Sequence, residues 1–303
     1  MEIYAPRYYG SFRCIADQCR HSCCIGWEID VDEATMKRYG ELPEGGYGDT
    51  VRESIDEDPT PHFRLGEGAR CPHLAPDGLC RLILALGEDC LCHICREHPR
   101  FYNETNIGRE VGLGMACEEA CRLILQEEDY VTTVAVASTE EPLDDPVDFD
   151  ALTHRARVYG VLSDTSLLYG ERLRRIARRY RVSPGRYGRD YWRELLGSLE
   201  YLDERHRAWS RCYTSRPEVP SRLEPYLERA FAYFVFRHCT AAADLDSWRL
   251  SLGLCLVLER FLASLAVAQE VTGEEELILL ARAFSEELEY SEENTDALRM
   301  AFL

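Results

Sequence analysis

The chain of 303 residues carries 54 acidic against 35 basic side chains, a formal charge of −19, and is 46% hydrophobic. That composition excludes a disordered chain, and at this length two domains are a better expectation than one. The charge makes nucleic acid a poor partner, because an acidic surface repels phosphate.

The charge is unevenly placed. Residues 1–150 hold 31 Asp and Glu against 13 Lys and Arg, whereas residues 151–303 hold 23 against 22. An acidic half favours a basic polypeptide partner, although general solubility accounts for the same charge. Of the 35 basic residues 34 are Arg, and Lys37 is the only lysine. The opening Met-Glu-Ile-Tyr-Ala-Pro-Arg lacks a basic and an apolar region, so no secretory signal is expected. The apolar run 250–268 carries Glu259 and Arg260, which predicts a buried helix with a polar edge and no membrane span. A cytoplasmic chain keeps its thiols reduced, so fourteen cysteines point to metal before disulfides.

In chain order, residues 4–12 are aromatic and irregular, with Pro6 and Gly10 set against a helix. Residues 26–32 alternate apolar and acidic side chains and predict a short strand with one buried face. A short helix over 32–39 follows, then a loop over 40–70 with a brief strand near 62–65. Asp77-Gly78 is a turn signal that returns Cys80 towards Cys71, and a helix over 79–86 stops at Gly87. Cys90, Cys92 and Cys95 follow with His93 and His98, closed by Pro99. Residues 110–115 are short and Gly-bearing, 118–126 read as a helix and 131–137 as a strand. Residues 140–148 are acidic, contain two prolines and predict a linker. Beyond it the pattern is helical over 149–162, 165–180, 187–211, 221–239, 245–270, 274–289 and 292–302. The expected fold is mainly α: a Cys-rich metal-binding N-terminal domain (1–139) with short strands and loops, then an all-α helical domain (149–303).

Cys14, Cys19, Cys23 and Cys24 place four thiols within eleven residues, which no ordinary core requires. Adjacent cysteines pair poorly as a disulfide, but thiolates on a bent loop can converge on one metal. Eleven of the fourteen cysteines precede residue 122; Cys212, Cys239 and Cys255 read as packing residues. A zinc ribbon is a weak match, since only Cys92 and Cys95 have the Cys-x2-Cys knuckle spacing. An iron–sulfur cluster fits the compact first group better, completed by Cys71, Cys80, Cys95 or Cys117. A radical-type Cys-x3-Cys-x2-Cys begins at Cys19 and Cys23 but fails at Gly26.

These residues also carry a resemblance. Tyr8-Tyr9-Gly10-Ser11-Phe12-Arg13-Cys14, then Cys23-Cys24-Ile25-Gly26-Trp27-x-Ile29-x-Val31-Asp32, resembles the opening of bacterial flagellin lysine-N-methylases, within the wider cysteine-cluster proteins described as zinc- or iron-chelating. Cys71-Pro72-x-Leu74, Asp77-Gly78-Leu79-Cys80, Leu86-Gly87-Glu88, Cys95-Arg96 and Pro99-Arg100 are similar to the family's second block. Gly112 to Cys117, with Glu119-Ala120 and Arg122-Leu123, is similar to its third. The stretches 226–238 and 285–294 are similar as well. The resemblance implies methyl transfer from S-adenosylmethionine to a lysine ε-amine of flagellin or another polypeptide. It also implies an iron–sulfur cluster, most simply 4Fe-4S, with a second metal site open. The cysteines it assigns to metal are Cys14, Cys19, Cys23, Cys24, Cys71, Cys80, Cys95 and Cys117. Cys90, Cys92 and Cys121 stand where other residue types are expected. Two alternatives stay open: an iron–sulfur tailoring enzyme acting on a small molecule or short peptide, and a non-catalytic metal-binding or metal-delivery protein.

No Gly-x-Gly-x-x-Gly follows a strand, and Gly112-Leu-Gly114 has no nucleoside logic of its own, so no S-adenosylmethionine site is assigned. A lysine amine must lose its proton to attack, which calls for a carboxylate or tyrosine beside the sulfonium. Glu28, Asp30 and Asp32 flank the first cysteine group, and Glu289, Tyr290 and Asn294 lie near the C-terminus. Glu289, Tyr290, Asn294 and Asp30 are the catalytic candidates; solvated surface acid is the competing role for each carboxylate. The arginines of 172–181 read as a solvated helix face.

Overall fold

Strand β1 (Glu2–Pro6) opens the chain in the computed structural model, which describes residues 1–139 and 148–303. Where the sequence predicts irregular backbone, β1 runs into a single 3-10 turn, Arg7–Ser11. Pro6 closes the strand, a position where a missing N–H is tolerated. The chain divides into two units, Arg13–Arg100 and Met1–Phe12 with Phe101–Leu303. Residues 101–139, expected with the cysteine domain, thus fall in the unit that holds the helical half. Of the expected linker, residues 140–147 lie outside the described residues.

In the unit Arg13–Arg100, α1 (Glu33–Gly40) starts where the Asp32 carboxylate accepts the Thr35 N–H at 2.9 Å, an N-cap. Helix α2 (Tyr47–Glu53) occupies the stretch expected to be a loop. Its seven residues bury only Gly48 and Val51, too few apolar positions for a legible helical period. The short strands β2 (Ile55–Asp56) and β3 (His62–Phe63) pair antiparallel. Residues 26–32 form no ladder. Ile29 and Val31 are buried as the alternation requires, but pairing there stops at isolated bridges, Ile25 with Arg70 and Asp30 with His62. Helix α3 (Arg81–Leu86) ends at Gly87, whose φ of +87° suits glycine, and α4 (His93–Glu97) follows. The core is small: Ile29, Val31, Tyr39, Val51, Phe63 and Leu82, together with Cys71 and Cys92. Thiols are part of what this unit packs around.

The other unit adds β4 (Arg100–Thr105), β5 (Gly108–Leu113), α5 (Glu118–Gln126) and β6 (Thr133–Ser138). The sheet order is β4-β5-β1-β6, with β1 parallel to β5 and antiparallel to β6. Then come α6 (Ala151–Leu162), α7 (Tyr169–Tyr180), α8 (Arg189–Ser198), α9 (Glu224–Cys239), α10 (Leu245–Ala268), α11 (Glu274–Leu288) and α12 (Glu292–Met300). Helix α10 is long and apolar enough to cross a membrane, but 83% of its most apolar window is buried inside the protein; it is the core helix. A buried ion pair joins β5 to α6: Arg155 donates to both oxygens of Glu110, at 2.6 and 2.7 Å. The mainly α expectation holds.

The expected helix 187–211 is broken. After α8 the chain bends and resumes as a 3-10 run, Glu204–Cys212. Glu287 accepts the amides of Leu202 and Asp203, at 2.6 and 3.1 Å. Asn294 takes the Glu200 N–H at 2.8 Å. These partners 84 to 94 residues away satisfy the backbone groups that a continuous helix would have paired locally.

Candidate functional site

Two clusters carry chemistry, one in each unit. In Arg13–Arg100 the thiols come together. The Gly78 turn, with φ +86°, returns the chain so that Cys80 bridges Leu74, and the Cys71 N–H donates to the Cys24 carbonyl at 2.8 Å. Cys24 is thereby placed between Cys23 and Cys71, whose thiols donate to it and hold its pKa well below the usual thiol value. Cys71 is pushed up, chiefly because it is the donor to Cys24. Cys92 and Cys95 form a second hydrogen-bonded pair, lowering Cys92 and raising Cys95. Burial raises Cys80. Cys92, at the N-cap of α4 and fully buried, is a thiol that the knuckle spacing to Cys95 picked out but the resemblance left aside.

No disulfide joins any of the fourteen cysteines. Seven of the eight expected ligands, Cys14, Cys19, Cys23, Cys24, Cys71, Cys80 and Cys95, lie in this unit, while Cys117 lies in the other. Among the described residues no three His, Cys, Asp or Glu side chains form a metal-holding group. That is compatible with the thiol contacts, since sulfurs linked in a chain through Cys24 are not sulfurs around one point. The donor set is nevertheless soft and partly desolvated, the chemistry that iron–sulfur clusters and zinc accept. His73 is no part of it. Tyr47 Oη lies 2.8 Å from its Nδ1 and Ser54 Oγ 3.0 Å from its Nε2, so both ring nitrogens are engaged.

The acids beside the first cysteine group divide. Asp32 is a structural cap that also accepts the His93 N–H at 2.8 Å. Asp30 is exposed and bridges His62.

The second cluster lies at the end of α11. Glu289 is 5% exposed. Its Oε1 accepts from His238 Nε2 at 2.7 Å and lies 3.7 Å from Arg237 Nε. Its Oε2 has no hydrogen-bond partner. Burial pushes the His238 pKa down, so the ring is neutral and donates to the carboxylate. Arg237 is held between the rings of Phe101 and Tyr290, 4.7 Å from each centroid, and donates to Tyr233 Oη at 3.3 Å. Burial raises the Tyr290 pKa.

The two glycines of Gly112-Leu-Gly114 make this packing possible. A Cβ on Gly112 would enter the Phe101 ring, and one on Gly114 would meet the Tyr290 hydroxyl and Arg237. Asn294 is fully occupied otherwise. It accepts from Glu200 N and donates to the carbonyls of Glu200 and Glu287, at 2.8 and 3.0 Å. Ser291 caps α12. The 285–294 stretch is therefore in large part a structural joint, and it borders an open cleft of about 410 Å³ while the Glu289 side chain itself is fully buried. Arg237, His238, Glu292, Asp296 and Arg299 line the same cleft. Sequence reasoning named Glu289 and Tyr290 as candidates but not Arg237 and His238, although both lie in the stretch 226–238 of the resemblance and form a basic pair in the last turn of an apolar helix.

The chain is similar to lysine-N-methylases. Those of Salmonella choleraesuis (strain SC-B67) and Salmonella typhimurium (strain LT2) are each 29% identical to it, over 133 and 138 residues. Each match covers 42% of this chain and 33% of the relative. The flagellar biosynthetic protein FliU of Salmonella muenchen is 28% identical over 133 residues, covering 42% of this chain and 79% of that protein. The chain thus spans a third of the length of the lysine-N-methylases it matches. No family model and no solved structure matches it.

Proposed function

We propose that the chain is a cytoplasmic enzyme that N-methylates lysine side chains of a polypeptide, flagellin being the first substrate to try. S-adenosylmethionine would be the methyl donor, and thiols of the unit Arg13–Arg100 would hold an iron–sulfur cluster. The observation that carries the reading is the similarity to the two lysine-N-methylases. The thiols that would serve are Cys23, Cys24 and Cys71, with Cys80, Cys92 and Cys95 near them in the fold, because soft donors are already gathered there. A cluster, when bound, supplies iron that amino and carboxylate groups can chelate, which is the chemistry for holding S-adenosylmethionine.

The protein's own task is proton management. The substrate amine must be deprotonated before its nitrogen bonds to the sulfonium methyl. As that bond forms, the S–CH3 bond breaks and S-adenosylhomocysteine leaves. The proton goes to a carboxylate, and Glu289 is suited to take it. Oε1 is fixed by His238 while Oε2 is unpartnered, so the carboxylate is oriented and keeps one acceptor unused, which the substrate amine reaches only by displacing the packing that seals it.

The test is mass-spectrometric methyl incorporation into flagellin and into lysine peptides by anaerobically purified protein, with iron and sulfide counted in the same sample. Mass gains of about 14 Da on lysine are expected, one CH2 for each methyl that replaces a hydrogen on nitrogen. Absence of transfer to any lysine substrate, with iron at full occupancy and S-adenosylmethionine bound, would overturn the reading.

A further inference from the structure

Strand β6 stands last in the sheet order β4-β5-β1-β6. β1 covers its inner edge, and among the described residues no strand pairs with the outer one. The backbone groups on that side face water as a template for a further strand. Five of the six residues of β6 are exposed, with Val134 at 40% and Val136 at 38%.

The composition of this edge invites pairing. Folded proteins blunt an open edge with Lys, with Pro or with a bulge. Residues 131–138, Val-Thr-Thr-Val-Ala-Val-Ala-Ser, hold no charge, no Pro and no Gly, and Val and Thr favour the extended chain. The guard that β6 keeps is a bulge: Tyr4 pairs with Ala135 and Ile3 with Ala137, which leaves Val136 extra. An uncharged, β-prone window exposed on an edge is an aggregation hazard unless something covers it.

Charge selects the occupant. Both ends of the strand are acidic: Glu127 and Glu128 precede it, and Glu2 lies opposite Ser138. Glu128 is largely exposed, with Arg229 3.8 Å away, while Asp129 is matched by Arg7 at 3.1 Å. A second copy of this chain would set acidic end against acidic end whether the strands ran parallel or antiparallel. Like charges facing across strands oppose pairing, and the formal charge of −19 adds to the repulsion.

We propose that the outer edge of β6 binds an extended segment of another polypeptide by strand addition, a segment uncharged and β-branched at its centre and basic at both ends. Main-chain hydrogen bonds to the open N–H and C=O groups supply the affinity, and alternate side chains supply the preference. Val or Thr of the segment packs beside the exposed valines of β6. The basic ends meet Glu2 and Glu128, which steers the encounter and fixes the register. Strand addition stands apart from the methylation reading, since it needs no lysine amine, no methyl donor and no metal.

The probe is a fluorescein-labelled peptide of alternating Val and Thr with paired Arg at each end, titrated with full-length protein and followed by anisotropy. Arginine ends keep the probe free of any lysine. Saturable binding is expected, weakening as salt rises. The same peptide N-methylated at every Val and Thr loses its backbone donors and should bind at least about tenfold more weakly, because more than one hydrogen bond is lost. A Glu-ended peptide should be weakened at least about fivefold by like-charge repulsion at both ends. Val134→Lys combined with Val136→Lys should also weaken the Arg-ended peptide at least about tenfold, since an edge lysine opposes strand addition. Both valines are exposed, so this variant should melt as the wild type does, and the peptide comparison stands without it.

Equal binding of the N-methylated peptide, equal binding of the Glu-ended one, wild-type affinity in the double Lys variant, or no binding of the Arg-ended peptide would each overturn the assignment. Sedimentation of the protein alone addresses the other occupant. A monomer is expected; a dimer that Val134→Lys and Val136→Lys dissolve would overturn the assignment and give the edge to a second copy.

Discussion

His238 donates its Nε2–H to Glu289 Oε1 over 2.7 Å and thereby ties the last turn of α9 to the residue that ends α11. The bond engages one carboxylate oxygen and leaves the other bare. Glu104 Oε2 is buried and unpartnered in the same way, so it is the further contact of Glu289 Oε1 with Arg237, at 3.7 Å, that sets this joint apart.

Glu289→Gln should therefore separate catalysis from structure. The amide still accepts from His238 through its carbonyl oxygen but cannot take a proton. Methyl transfer is expected to fall on the order of 100-fold, within the usual worth of a general base, with iron content unchanged. Wild-type turnover in this variant would clear Glu289 of a catalytic role.

Gly114→Ala should destabilise the unit by about 1–3 kcal/mol, the usual cost of overpacking, because the new Cβ collides with Tyr290 and Arg237. Gly160 provides the opposite sign. It lies inside α6 with open space where a Cβ would go, so Gly160→Ala should add about 1 kcal/mol through helix propensity. Thermal melts of the two variants check both; a harmless Gly114→Ala would mean that the packing of Tyr290 and Arg237 against Gly114 is looser than it looks.

The cysteines should sort by unit. Cys24→Ala removes the thiol that links Cys23 and Cys71 and is expected to bleach the anaerobic protein and lower its iron count. A chelator should destabilise the wild type, since metal held by the folded state alone adds to folding free energy. Cys239 and Cys255, buried with their sulfurs 3.7 Å apart between α9 and α10, should behave as packing. Their alanine variants are expected to keep full iron at a cost on the order of 1 kcal/mol each. Iron loss from either would place a ligand in the helical unit.

Glu259 gives a pH dependence with a definite sign. Burial in α10 raises its pKa from 4.5 to about 7, and its hydrogen bond from Tyr169 at 3.0 Å only partly offsets that. Between these values the folded state holds a proton that the unfolded state releases, so stability falls as pH rises from 4.5 to 7 and is flat above. The full effect is on the order of 3 kcal/mol, since each pH unit of that interval removes about 1.4 kcal/mol. Glu259→Gln should remove this slope and raise stability above neutral pH, as urea melts at about pH 5 and about pH 8 would reveal. A variant whose pH slope matches wild type would show that Glu259 does not carry the dependence.

The strongly periodic and strongly capped elements were legible in the sequence. Helix α5 runs over the expected 118–126, α1 starts after the Asp32 cap, and α3 stops at Gly87, because caps, glycines and apolar spacing act within one or two turns. The four-stranded sheet was not legible, since β1 pairs with β5 and β6 more than a hundred residues away and no local pattern reports a distant partner. The helix expected over 187–211 was broken for the same reason, by Glu287 and Asn294 reaching back from α11 and α12. In the cysteine unit the spacing of the thiols announced their importance. Only the fold decided which thiols touch, setting Cys24 between Cys23 and Cys71 and pairing Cys95 with Cys92. Sequence alone singled out Glu289 as an acid of interest; its burial and the arrival of His238 from another helix left a single oxygen without a partner, because burial, unlike composition, is settled by packing between segments far apart in the chain.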